Sequence, residues 1–226
     1  VVQTAWISVS RACNNACRFC AVADTLDRQP IDARALRAEL DAALAAGAKR
    51  VVFTGGEPTL SAQLIAALGY ARGRGATTAI ATNGRLLADS ERVTRLAVAG
   101  LNELWLSLHG ATPAIHDALV GAPAHREAMA ALAASTGTFG LRLRTVLTAT
   151  NLAELPALIA LAAQHGAAFE LRQLRRVGAG RDSADALSPA DAHAALDTTL
   201  RAARRLGVPF HHAGFDGTGQ SGVPAQ

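Results

Sequence analysis

The chain has 226 residues, half of them hydrophobic, which suits one domain or a single open barrel with a sizeable core. Its net charge of +4 comes almost wholly from scattered arginines, Lys49 being the one lysine, with no long basic run and no aromatic interleaving. That pattern speaks against a nucleic-acid partner and leaves some pull on anionic ligands. No apolar run reaches the ~18 residues of a membrane span. The opening VVQTAWISVS lacks the basic and long apolar segments of a signal peptide. The expectation is a cytoplasmic chain with reduced thiols and no membrane partner.

Short β-rich runs alternate with longer helical patterns. AWISVS (5–10) reads as the first strand. DARALRAELDAALAAGA (32–48) reads as a helix with Asp32 as N-cap and Gly47 near its end. RVVFT (50–54) is a strand, followed by GGEP and a helix through LSAQLIAALGYARGRG. ATTAIAT (76–82) is the third strand and ends at Asn-Gly. A helix over DSERVTRLAVAG leads to the strand NELWLSL (102–108), and HREAMAALAAS to the strand LRLRTVLTA (141–149). NLAELPALIALAAQHG is a helix with Pro156 in its tolerant first turns, and AFELRQL (168–174) is the sixth strand. Ser188 caps a last helix and Pro189 opens it.

Six β/α units with right-handed crossovers fit an open doubly wound sheet or an incomplete parallel barrel. In both, ligands bind at the carboxyl ends of the strands. The informative stretches stand there: the cysteines after strand one, GGEP after strand two, TNG after strand three and SLHG after strand four.

All three cysteines lie in RACNNACRFCAVAD, spaced C-x3-C-x2-C as Cys13, Cys17 and Cys20. A structural zinc site wants four ligands, commonly two paired knuckles, and no second pair is present. His109 or His211 would complete a three-cysteine, one-histidine set, but neither is near in sequence. Three cysteines simply buried in a core fit poorly beside Arg11, Asn14, Asn15 and Arg18. An iron–sulfur cubane is the remaining reading. It is normally held by four thiolates, so three leave one iron open to a small molecule. Phe19 would shield the cluster from water.

C-x3-C-x2-C with an aromatic before the third cysteine resembles the radical S-adenosylmethionine superfamily. FTGGEPTL after the next strand strengthens the likeness, and ATNG and LWLSLHGATPAIHDALVG also resemble members. For the fold, the resemblance implies an α/β incomplete (β/α)6 parallel barrel, a partial TIM barrel, over residues 1–207. Residues 208–226 are expected to form a short mobile tail.

For the chemistry, it implies a [4Fe-4S] cluster on Cys13, Cys17 and Cys20, and S-adenosyl-L-methionine on the open iron. Reductive cleavage then gives methionine and a 5′-deoxyadenosyl radical that takes hydrogen from a small metabolite or a peptide. An electron donor such as flavodoxin or ferredoxin is implied as a partner.

Residue by residue, Gly55 and Gly56 would let the backbone come close to the methionine end. Glu57, followed by Pro58, would accept a hydrogen bond from the methionine ammonium, or else cap the following helix. Thr82 and Asn83 would help hold the cofactor or form an ordinary turn. Ser107 resembles a ribose or carboxylate contact. Arg144 would pair with the methionine carboxylate, in preference to Arg142 on the same face. Leu174 would line the adenine pocket or be plain core. His109 is a candidate substrate-facing group with a helix-cap or solvent alternative. His116 reads as a helix-start feature. Arg172, Arg175, Arg176 and Arg181 would bind an anionic substrate or form a solvated rim. His211, His212 and Asp216 have no assigned role.

With no cysteine after Cys20, the chain is expected to hold one cluster only. Two alternatives accompany the enzyme reading: an activase that installs a glycyl radical on a partner enzyme, and a non-catalytic cluster- and cofactor-binding protein.

Overall fold

Residues 3–215 are described in the computed structural model of the chain. The expected strands form: β1 (Thr4–Ser10), β2 (Arg50–Gly55), β3 (Thr77–Thr82), β4 (Glu103–Ser107), β5 (Gly140–Leu147) and β6 (Ala168–Gln173). Between them run α1 (Ala33–Ala45), α2 (Leu64–Gly73), α3 (Ser90–Ala99), α4 (Pro113–Val120), α5 (His125–Ser135) and α6 (Leu155–Gln164), and α7 (Pro189–Arg205) follows β6. The caps are those expected: the Asp32 carboxylate accepts from the Arg34 and Ala35 amides, and the Ser188 hydroxyl from the Asp191 amide. Pro156 sits in the first turn of α6, where no backbone donor is lost.

Two elements go beyond the six expected units. The helix α4 is only eight residues long, opened by Pro113 and closed by Gly121 in the left-handed region. A seventh strand, β7 (Phe210–Ala213), pairs in parallel with β6. This corrects the placing of the barrel's end at 207: residues 210–213 belong to the sheet. Phe210 packs on Phe169 at 6.3 Å, while His211 stands beside Glu170 in register on the opposite face. Two adjacent histidines in a four-residue run hide that alternation in the sequence. The rest of the expected tail, 216–226 with Asp216, lies outside the described residues.

The strand order is β1-β2-β3-β4-β5-β6-β7, all parallel. That order decides between the two architectures. Strands added always on the same side by right-handed crossovers put every helix on one face, whereas a doubly wound sheet must reverse direction. The chain is a partial parallel barrel, with β1 and β7 as its edges among the described residues.

The two faces differ sharply. Toward the helices, Ile7, Val51, Phe53, Ile80, Leu104, Leu143 and Phe169 form one apolar core with Leu40, Leu68 and Leu158. The lumen face holds Trp6 and Trp105 edge to face at 5.3 Å, with charged groups on either side of them along the strands. Arg50 pairs with Glu103 at 2.9 Å, and Glu103 also accepts from the Trp105 indole. Glu170 meets Arg142 at 3.1 Å, Arg144 at 3.4 Å and Arg172 at 2.6 Å. Burial alone would raise the Glu170 carboxyl, but Arg144 and Arg172 outweigh it and hold it down at about 2. One carboxylate against three guanidiniums leaves the upper lumen cationic, facing the mouth.

Candidate functional site

The cysteine loop follows β1 and is clamped on three sides. Ala16 and Arg18 donate their amides to the Val120 and Leu119 carbonyls at the end of α4, at 2.9 and 3.0 Å. The Cys20 carbonyl accepts from the Ala179 amide at 2.9 Å. On the third side lie the two glycines of GGEP. Gly55 has φ +127°, and a Cβ there would fall 2.0 Å from the Ser10 carbonyl oxygen; one on Gly56 would fall 2.4 Å from that of Ala12. What these glycines approach is therefore the cysteine loop itself, and the Gly56 and Glu57 amides bond Ser10 and Ala12 at 2.8 Å each.

Glu57 is 1% exposed and ties three segments together. Its Oε1 accepts from the Thr59 amide and hydroxyl and from the Thr82 hydroxyl, and its Oε2 from the Asn83 amide at 2.8 Å. The capping alternative is thus realised: Glu57 is the N-cap of the short 3-10 turn Pro58–Leu60, with Pro58 buried at its start. Burial pushes the carboxyl up, against the pull of these donors. Thr82 and Asn83 serve the same joint. The Asn83 amide side chain reaches Asn14 of the cysteine loop at 2.7 Å, and its Oδ1 accepts from the Arg85 amide as in an ordinary turn. Glu57→Gln keeps three of the four donors paired but sets its amide against the Asn83 N–H. It is expected to cost about 2 kcal/mol of stability, one buried donor left unpaired. Urea unfolding checks this, and an unchanged midpoint would deny Glu57 its tie.

Cys13, Cys17 and Cys20 line a cavity of about 250 Å3 at the mouth, together with Gly55, Gly56, Glu57, Thr82, Asn83, Ser107, His109 and Arg144. Eleven of the residues expected at the site, counting Thr82 and Asn83, thus line one space, as their origin at the ends of successive strands requires. Pro58 and Leu174 are not among its lining. Leu174 packs with Phe19 and Leu119 and faces a second, neighbouring cleft.

Opposite the thiols, Ser107 and Arg144 are cross-strand partners on β4 and β5. Arg144 is 8% exposed and lies 5.5 and 5.4 Å from the Trp6 and Trp105 rings. Burial lowers its guanidinium to about 10. Its Nε lies 3.4 Å from a Glu170 oxygen, at an angle that makes no hydrogen bond, so this buried donor is unpartnered.

His109 stands between the two walls, edge-on to Phe19 at 4.6 Å. Its Nδ1 accepts from the Val146 amide at 3.2 Å, which puts the ring proton on Nε2. Burial, with His116 and Arg144 nearby, keeps it well below its usual range and so neutral. Asn151 fixes its carbonyl at 2.8 Å.

Three thiols with no cation among them are poor thiolates. Burial raises all of them, and Cys17, with Cys20 and Cys13 close by, reaches about 12. Among the described residues no group of three His, Cys, Asp or Glu side chains is placed to hold a single metal ion. A polynuclear group carrying its own positive iron suits thiols set around a space.

The sequence model of the family described as "Radical SAM superfamily" matches residues 7–161. The chain belongs to the radical SAM superfamily. Mycofactocin maturase MftC of Mycobacterium tuberculosis (H37Rv) is 31% identical over 175 residues, 76% of this chain and 44% of that protein. PqqA peptide cyclase of Xanthomonas campestris pv. campestris is 29% identical over 205 residues, 88% of this chain and 54% of that protein. The chain thus spans about half the length of the curated relatives it matches. Among solved structures, SuiB of Streptococcus suis bound to precursor peptide SuiA superposes with a TM-score of 0.80 at 21% identity, covering 93% of this chain and 48% of that one. SuiB bound to S-adenosylmethionine gives the same TM-score at 19% identity, over 99% of this chain and 53% of that one.

Radical SAM proteins use a [4Fe-4S] cluster and S-adenosylmethionine, and the site fits that pair. It has thiols on one wall, and a buried guanidinium with an unpartnered N–H on the other suits a carboxylate. Sequence reasoning on this radical SAM chain missed several supporting residues. Arg85 bonds the Asn14 carbonyl and Glu127, pinning the cysteine loop to α5. Its place directly after TNG was the available signal.

His116 was read as a helix-start feature, and it accepts the His109 amide on Nδ1 at 3.1 Å. Burial, with His125 adding, lowers it from 6.5 to about 4. The unfolded imidazole therefore protonates first on acidification, and stability is lost as pH falls from 6.5 toward 4. Between pH 7 and 5 the loss from this ring is about 2 kcal/mol. His116→Asn, whose carbonyl can still accept the amide, should remove that share of the slope in denaturant titrations. An identical slope would assign the pH dependence elsewhere.

Proposed function

We propose that this chain is the radical-generating barrel of an enzyme that modifies a peptide. The observation carrying the reading is the cavity lined jointly by Cys13, Cys17, Cys20 and Arg144, whose Nε–H has no hydrogen-bond partner although the guanidinium is ion-paired with Glu170. When bound, the cluster and S-adenosylmethionine would supply one-electron reductive cleavage of the sulfonium and hydrogen-atom abstraction from substrate.

The chain's own residues bind, orient and shield. Cys13, Cys17 and Cys20 would hold the cluster as thiolates, and because burial raises all three thiols, loading would be coupled to loss of their protons. Arg144, with Ser107 beside it, receives the cofactor's carboxylate. Gly55 and Gly56 set the loop's distance from β2. Glu57, Thr82 and Asn83 hold the cavity wall, and the second lone pair of Glu57 Oε2 is the acceptor offered to the cofactor's ammonium. His109, neutral and carrying its proton on Nε2, offers a donor rather than a charge. Phe19 keeps water from the thiols.

The peptide class is supported by the relatives: one is named for cyclising the PqqA peptide, and SuiB is seen with a precursor peptide. A low-potential donor of the flavodoxin or ferredoxin kind would supply the electron. No helix among the described residues is long and apolar enough to cross a membrane, in keeping with a cytoplasmic setting. The reading is tested anaerobically: reconstituted protein, S-adenosylmethionine and dithionite should yield 5′-deoxyadenosine. A reduced, cluster-loaded protein that yields none with or without peptide substrates would refute it.

A further inference from the structure

The end of β6 and the loop after it carry four arginines, and the structure divides them. Arg172 is held by Glu170 at 2.6 Å and Arg181 by Asp24 at 2.9 Å. Arg175 and Arg176 have no ion pair or hydrogen bond among the described residues. Both line a second cleft, of about 670 Å3, between the ends of β6 and β7 and the start of α7.

The floor of this cleft is apolar, with Leu147, Leu174, Leu187 and Ala192, and no Asp or Glu lines it. Of the carboxylates nearby in sequence, Asp182 is exposed and does not line the cleft, and two others are engaged elsewhere. Asp185 accepts from the Thr150 amide and hydroxyl at 2.8 and 2.9 Å, and Asp191 accepts from the Ser188 hydroxyl at 2.7 Å. The amino end of α7 adds its own positive pole. Arg172, Gln173 and Arg175 line both the cleft and the cysteine-lined cavity, so the two spaces share a wall.

We propose that this cleft binds an acidic side chain of the peptide substrate. Its carboxylate meets Arg175 and Arg176, and apolar neighbours in the peptide lie on Leu174 and Leu187. The cleft is of a size that buries a ligand of several residues' bulk. An apolar floor under a cationic rim is matched by a peptide better than by a small free acid, which would leave the floor wet. The inference rests on the reading that the chain acts on a peptide, and it sets the chemistry beside the reactive cavity.

The test is affinity capture by the reconstituted protein from a random decapeptide library, with captured sequences read by mass spectrometry. Asp and Glu should be enriched over Asn and Gln about fivefold, the scale of a partly exposed charge-assisted contact. The enrichment should vanish in R175Q/R176Q and persist in R201Q/R204Q, which removes the same charge from the exposed face of α7. No acidic enrichment, or enrichment that survives R175Q/R176Q, would overturn the proposal. So would equal displacement of the pool by free glutarate, which would make the occupant a small acid. Formation of 5′-deoxyadenosine in the same preparation reports separately on the radical chemistry. Its absence beside acidic enrichment would sink the proposed reaction and leave the cleft standing.

Discussion

Cys13→Ala should reduce cluster iron to background and abolish 5′-deoxyadenosine formation, while leaving the unloaded fold as stable as before. The two halves of this expectation have different causes. Cys13 is only half-buried, and its contact with the Asn15 amide, N–H to sulfur at 3.5 Å, is weak. Truncating it thus removes little packing. A cubane that is already one protein ligand short cannot lose a second and keep its place, so loading is the property that fails. Iron analysis and thermal unfolding of wild type and variant separate the two. Unchanged iron would remove Cys13 from the cluster, and a collapsed melting point would make its role structural.

The second large effect is expected far from the cysteines. Glu170→Gln takes the only carboxylate from a knot of three guanidiniums on β5 and β6. The side chain of Glu170 is 6% exposed, so water cannot replace it. Removing one member of a buried ionic group strands the others, at about 3–5 kcal/mol. For a domain of this size that is roughly 10 °C in melting temperature. The double variant Glu170→Gln with Arg172→Gln should recover part of the loss, because one stranded charge goes with its partner. Glu170→Gln melting within a degree or two of wild type would show that the lumen charges are hydrated and independent.

These two sites also mark what was legible in the sequence. The cysteine spacing, GGEP and TNG fall after successive strands, so the strand pattern alone brings them to one mouth. Period-two alternation places Arg142 and Arg144 on the same face. What alternation cannot supply is the neighbour across the sheet. Arg144 lies opposite Glu170 only through a register set by the whole barrel, 26 residues away in sequence. The partners of Glu57 pose the same difficulty: Thr82 and Asn83 belong to the next strand's end, 25 and 26 residues on.

Short elements were the other loss. The helix α4 offers two turns of pattern, and β7 four residues with two histidines. In both, tertiary pairing outweighs local propensity. The glycines of GGEP line the cavity and also make room for the cysteine loop, a contact that the strand pattern does not show.

The most direct measurement of the central claim is electron paramagnetic resonance of the anaerobically reconstituted, dithionite-reduced protein before and after S-adenosylmethionine. A cluster with one iron free of protein ligands, facing Arg144, predicts a reduced-cluster signal whose shape changes when the cofactor binds, and Arg144→Met should weaken that response. A reduced cluster whose spectrum is indifferent to saturating cofactor would contradict the account, because its fourth iron would then be closed.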